Sequence, residues 1–272
     1  MYNINNNLFL KEMKRNTTPL AIWMIVITAL ISVTMLVYPT FMENQSKIIG
    51  MMNIIPKSAL QFKGINNFTD LLSVMGFYAA NNVIYMMLLG SIFAIVLGSN
   101  ILLKEEYSKT AEYLLTRPLT RSEIFFSKLG VVLLYIFFLN MVTSIAGFTW
   151  LELIPKATFS LKAFMILSFY TFLLNILFGV IGLFMSTLIK RPKPITTFSI
   201  GLVLIFYFIF TLSKISESAS KIGYISPFKF VNTDALNPAY SINFLNLLYF
   251  IGISLLLSII AYRLYMRKDI YT

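Results

Sequence analysis

Residues 105–123 read EEYSKTAEYLLTRPLTRSE, a dense run of charge between two apolar stretches that are each long enough to cross a bilayer. Glu105, Lys109, Glu112 and Thr116 recur at helical spacing, while Tyr107, Ala111, Leu114 and Leu115 line the opposite side. The spacing predicts an amphipathic helix that continues off the preceding apolar segment. Arg117-Pro118 ends it, because proline has no N–H to donate and pushes its predecessor out of the helical region. Thr120 to Glu123 then has the form of a capping box, in which Thr120 caps a new helix and the Glu123 side chain reaches back. The result is a helix, a stiff corner and a freshly capped helix. A few polar residues would have joined the two apolar stretches, so an ordered connector points to a surface presented to a partner. Charge between spans also serves simply as a solvated, positively biased loop, and the residues alone leave the two readings even.

Composition places the flanking stretches in a membrane. Of the 272 residues, 58% are hydrophobic, 15% aromatic and only 12% charged, far from the balance of a soluble chain. Six segments meet the requirement of about 20 mostly apolar residues for a span: 20–38, 74–102, 124–148, 163–188, 195–212 and 245–264. The second is interrupted in its outer third by Asn81 and Asn82. The first, IWMIVITALISVTMLVY, is too long for the core of a signal peptide and has no small-residue cleavage site after it.

The chain has no Cys and no His, which excludes disulfides, thiolate or imidazole metal sites and any Ser-His or Cys-His nucleophile. It also has no Gly-Lys dipeptide, hence no P-loop, so any ATP is handled by another subunit. The net charge of +11 reads as topology and anionic lipid rather than nucleic acid. Lys and Arg concentrate in the N-terminal stretch, in the connector, in IKRPKP at 189–194 and in YRLYMRKD at 262–269, which puts both termini and the connector in the cytoplasm. Residues 40–73 and 213–244 then lie outside, and the segments Ile48 to Phe62 and Tyr224 to Phe230 are apolar enough to rest on the membrane surface.

At the N-terminus, Leu8, Phe9 and Met13 oppose Lys11, Glu12, Lys14 and Arg15, as in an interfacial helix, and Thr18-Pro19 is expected to cap a separate first span. No ionisable group falls well inside a span, which argues against a secondary transporter or channel, the alternative from another class. Asn100, Asn140 and Asn175 suit interhelical hydrogen bonds. A protease using Glu105 and Glu106 would need the His that is missing.

The longer stretch KEEYSKTAEYLLTRPLTRSEIFFSKL, residues 104–129, resembles the signature of type-2 ABC transporter permeases. There an acidic pair leaving span two precedes a Gly/Thr-x-Glu-x-Leu-Leu run, an Arg-Pro corner, Ser/Thr-Arg and a Lys on the next span. The matching positions are Glu105, Glu106, Thr110, Glu112, Leu114, Leu115, Arg117, Pro118, Arg121 and Lys128, with Thr110 standing where the family often has Gly. LFLKEMKRN, YPTF, IPKSALQFKGI and YRLYMRKDI extend the likeness to nearly the whole chain.

The resemblance implies an all-α membrane fold in a single permease domain, 1–272: an elbow helix at 1–18, six spans, a coupling helix within 103–122 and extracellular amphipathic segments. It implies a non-catalytic permease subunit of an ABC exporter in a bacterial plasma membrane. Two copies of an ATP-binding subunit would bind ATP and Mg; the chain itself would hold no cofactor or metal. Glu105, Glu106, Glu112, Arg117, Pro118 and Arg121 are the expected coupling residues, and Lys128 is read as family position or headgroup contact. A second permease is implied, another copy or a homologue, with Gly90, Ala94 and Gly98 as candidate packing residues and Gly179 and Gly182 as further points of close approach. The apolar, aromatic spans favour an amphipathic or hydrophobic cargo, first an antimicrobial or cytolytic peptide, with a lipid, drug or small cation as alternatives.

Overall fold

The computed structural model describes residues 5–46, 50, 71–107, 119–155, 159–189, 195–215, 219–233, 235–237 and 240–268, except for the side chains of 104–107. Six helices among the described residues are long and apolar enough to cross a membrane. Helix α1 is Asn6–Glu43; the second span comprises α2, Val74–Tyr78, a π-helical turn, Ala79–Val83, and α3, Ile84–Tyr107. Then come α4, Arg121–Leu153, α5, Leu161–Leu188, α6, Ile195–Ile215, and α7, Phe244–Arg267. Two short 3-10 helices, Ile222–Ile225 and Pro227–Phe230, lie between α6 and α7.

Side-chain caps start these helices wherever a small polar residue precedes an apolar run. Asn5 accepts from the Leu8 N–H, Ser73 from Gly76, Ser160 from Ala163 and Asn243 from Leu245. The expected break at Thr18-Pro19 is absent. Residues 6–18 are the first turns of the same helix as span one, and Pro19 sits inside it. In the turn before it Asn16 Nδ2 donates to Glu12 O at 2.8 Å and Thr17 Oγ1 to Lys14 O at 2.7 Å, while the carbonyl that Pro19 leaves without its helical donor is that of Arg15. Neighbouring helices let a membrane helix tolerate a proline.

Helices α3 and α5 form the enclosed centre, and α1, α6 and α7 show most of their surface outward. The central pair runs parallel, with Gly90 beside Asn175 and Gly98 beside Gly179 and Leu183. Small residues make this possible. A Cβ on Gly98 would run into the carbonyl oxygen of Gly179, and one on Gly182 into that of Ile95. The two backbones therefore touch, which is how membrane helices gain dispersion contact without a hydrophobic force to drive them together.

This corrects the expectation that Gly90, Ala94 and Gly98 form a contact between copies. Gly90 faces Asn175, Ala94 is fully buried with its carbonyl beside Gly179, and Gly98 abuts α5, all within one chain. Spacing by four marks a face for close approach, and α5 of the same chain already occupies it.

Candidate functional site

The N-terminus of α1, the C-terminus of α3, the N-terminus of α4 and the C-terminus of α7 meet at the end of the bundle from which the connector leaves. The capping box is present: Thr120 Oγ1 accepts from the Glu123 N–H at 3.2 Å, and Glu123 Oε2 accepts from the Thr120 N–H at 2.8 Å. Two orphan donors at the start of α4 are thereby satisfied, so the connector re-enters the bundle at a fixed point.

One turn further, α4 holds the first turns of α1. Ser127 Oγ accepts from Asn5 N–H at 3.0 Å, and the Tyr135 hydroxyl donates to the carbonyl of Met13. Between them Lys128 is fully buried, its ammonium 2.6 Å from the carbonyl oxygen of Ile101 and 3.3 Å from Glu12 Oε1. Glu12 is also buried, and the Arg15 guanidinium lies 3.0 Å from the same carboxylate oxygen. Lys128 thus does not snorkel, and Glu12 is not on the polar side of an interfacial helix. The opposite charges are desolvated together, which is the condition under which buried ions persist.

The sequence reading missed Glu12, although a signal was there. The buried positions of α1 are Leu8, Glu12, Leu20, Ile27, Ile31, Met35 and Tyr38, and Glu12 falls in register with this inward stripe. A carboxylate in an apolar stripe calls for a buried cation, and Lys128 on the apolar body of α4 is its counterpart.

Arg121 was expected to face the partner subunit. In the structure its guanidinium donates to the carbonyls of Lys268 at 2.8 Å and Met266 at 3.2 Å, closing the C-terminal end of α7. Tyr262 reinforces this link by donating to Ser122 at 3.3 Å, and Lys268 reaches the Ser186 carbonyl of α5 at 3.3 Å. Glu112, Arg117 and Pro118 lie outside the described residues, as do the side chains of Glu105 and Glu106.

Deeper in the bundle a second polar system crosses three helices. Ser91 donates to Asn175 Oδ1 at 3.2 Å, Asn175 Nδ2 donates to Asn140 Oδ1 at 3.2 Å, and Asn140 Nδ2 donates to the Ile136 carbonyl at 2.8 Å. Gly90 makes room for it, since a Cβ there would lie 2.6 Å from Asn175 Nδ2. Asn100 pairs with Thr196 across α3 and α6 at 3.1 Å. All three asparagines bond between or within helices, as their positions suggested.

Asn82 behaves differently. It is fully buried in the π-helical turn, and neither side-chain amide atom has a hydrogen-bond partner among the described residues. Among the described residues, no group of three or more carboxylates, His or Cys could hold a metal ion.

Compared with known families, the chain matches the model of the ABC-2 family transporter protein over residues 6–270. None of the curated proteins matches it.

Proposed function

Since this chain belongs to the ABC-2 family of transporter proteins, a family of membrane transport components, we propose that it is the permease subunit of an ABC exporter whose connector docks on a separate ATP-binding subunit. The observation that carries the docking reading is the construction at the connector's two ends. The helix that leads into the segment, α3, is held at Ile101, whose carbonyl binds Lys128, and the segment returns at the capped Thr120. A connector anchored at both ends can pass a push to α1, α3 and α4 together, whereas a loose one would absorb it.

In this reading both termini and the connector face the cytoplasm, and Glu105, Glu106, Glu112 and Arg117 meet the ATPase, with Pro118 as the corner between them. Two ATPase subunits bind ATP and Mg, and two permeases complete the translocation unit. Arg121 acts from inside the permease, by tying α4 to α7. The cargo is amphipathic or lipid-like, first an antimicrobial or cytolytic peptide. What supports this is the apolar and aromatic character of the spans, whose interior polarity comes from amides and hydroxyls apart from Glu12 and Lys128 at one end.

The test is reconstitution with the co-purifying ATPase. Amphipathic peptides should stimulate hydrolysis, and Glu112→Ala and Arg117→Ala should weaken ATPase association without loss of membrane insertion. Wild-type association in both variants would reject connector docking. Stimulation by sodium ions or sugars alone would reject the amphipathic cargo.

A further inference from the structure

At the end of the bundle opposite the connector, α6 runs into the two 3-10 helices and builds a plate of aromatic rings. Phe210, Tyr207 and Phe178 surround the fully buried Phe228, and Tyr224 leans on Phe230, which stacks on Tyr249 of α7 with ring centroids 3.7 Å apart. Two ammonium groups sit on this plate. Lys214 Nζ lies 4.6 Å from the centre of the Phe210 ring, and Lys229 Nζ lies 5.6 Å from that of Tyr224. They come from different elements, α6 and the second 3-10 helix, and the Lys229 stem and Ser213, the residue before Lys214, meet over Gly223.

Their approach is built in. Gly223 leaves the space that Ser213 and the Lys229 stem occupy, since a Cβ there would lie 2.5 Å from Ser213 Oγ and 3.3 Å from Lys229 Cδ. Both lysines are only partly exposed, and among the described residues neither is paired with a carboxylate. Two partly buried ammonium groups on neighbouring elements, each over a ring face and neither with a carboxylate partner among the described residues, suit an anion. Beside them Ile222, Tyr224 and Ile225 expose 53%, 63% and 62% of their surface, an apolar lip at the end of a membrane-spanning helix. A cation pair next to an apolar lip fits an amphiphile better than a free ion.

We propose that Lys214 and Lys229 bind the phosphate of an anionic phospholipid headgroup, whose glycerol and upper acyl region lies against Ile222, Tyr224 and Ile225. The site requires only that the helices span a membrane, so it stands apart from the export reading and its cargo. It would fix the α6–α7 segment to the bilayer surface and make the position of the aromatic plate sensitive to lipid charge.

The purified full chain in neutral detergent tests this by native mass spectrometry with phosphatidylglycerol, phosphatidylcholine and inorganic phosphate. The expected result is preferential binding of phosphatidylglycerol, weakened about tenfold or more in the Lys214→Gln/Lys229→Gln variant, because each surface cation contributes roughly fivefold and the two together exceed tenfold. Lys214→Arg/Lys229→Arg should keep the preference, and Lys221→Gln, a cation outside the pair, should leave it unchanged. Unaltered phosphatidylglycerol binding in the double Gln variant would overturn the site. If that variant fails to fold, loss of the preference in the double Arg variant with an unchanged melting midpoint decides against a charge-based site. Equal binding of phosphatidylcholine, or of inorganic phosphate, would overturn the lipid assignment.

Discussion

The ammonium of Lys128 lies 3.3 Å from Glu12 Oε1 while donating to the Ile101 carbonyl at 2.6 Å, so one buried cation joins α1, α3 and α4. Breaking a buried pair costs about 3–5 kcal/mol, because the remaining charge has been moved out of water. Lys128→Met leaves Glu12 facing Arg15, at 3.0 Å. Glu12→Leu and Lys128→Met should each lower the melting midpoint in detergent, and the double variant should lose less than the sum of the two. Additive losses would mean that the two charges do not stabilise one another.

The seam between α3 and α5 gives a sharper contrast among glycines. Gly98→Ala and Gly182→Ala each set a methyl against a backbone carbonyl, which no side-chain rotation relieves. Overpacking of this kind costs about 1–3 kcal/mol, and more where backbone must move. Gly201 and Gly252 have open space at the Cβ position, so Gly201→Ala and Gly252→Ala should be neutral or slightly stabilising through helix propensity. Thermal unfolding of the four variants checks the order, and equal midpoints would contradict the close backbone contact.

How much of this was legible in the sequence depended on whether the determining partner was local. Thr120 and Glu123 stand three residues apart, and their capping box was predictable because both members belong to one turn. The six spans followed from length and composition. The partners of Gly98 and Glu12 are distant in sequence, and spacing can mark a face without saying what covers it. Hence the small-residue face of α3 suggested a second copy when its partner is α5 of the same chain. Glu12 looked solvated because Lys11, Lys14 and Arg15 surround it in sequence, whereas the inward stripe of α1 passes through it. Pro19 suggested a helix start, but α1 runs through it from Asn6 to Glu43.

Buried asparagines in this chain should respond in opposite ways to removal. Asn175→Leu takes away the link between Ser91 and Asn140 and leaves the latter's amide oxygen without that donor, a loss of about 1–2 kcal/mol on the scale of interhelical hydrogen bonds. The Asn82 side chain has no hydrogen-bond partner among the described residues, so Asn82→Leu removes a desolvated amide and should keep or raise the melting midpoint. An orphaned polar group in a π-helical turn is the kind of local strain retained for function. Loss of transport in a well-folded Asn82→Leu would assign the turn to the working cycle; a large fall in stability would show that its amide is satisfied in the folded chain.

Arg121 separates permease architecture from docking at the connector. Its two hydrogen bonds, to Met266 in the last turn of α7 and to the cap residue Lys268, are charge-assisted, so Arg121→Ala should cost about 1–3 kcal/mol of stability and loosen the C-terminal end of that helix. Arg117, on the proposed docking surface, should show the opposite balance: Arg117→Ala should leave the melting midpoint of the isolated permease unchanged and weaken binding of the ATP-binding subunit. When a buried interface charge loses its partner, that weakening amounts to about 2–5 kcal/mol. Melting midpoints of the permease alone and ATPase binding to the reconstituted permease give both quantities for each variant. An Arg121→Ala permease with wild-type stability and lost ATPase binding would move Arg121 to the docking surface and leave the closure of α7 to Tyr262 and Lys268.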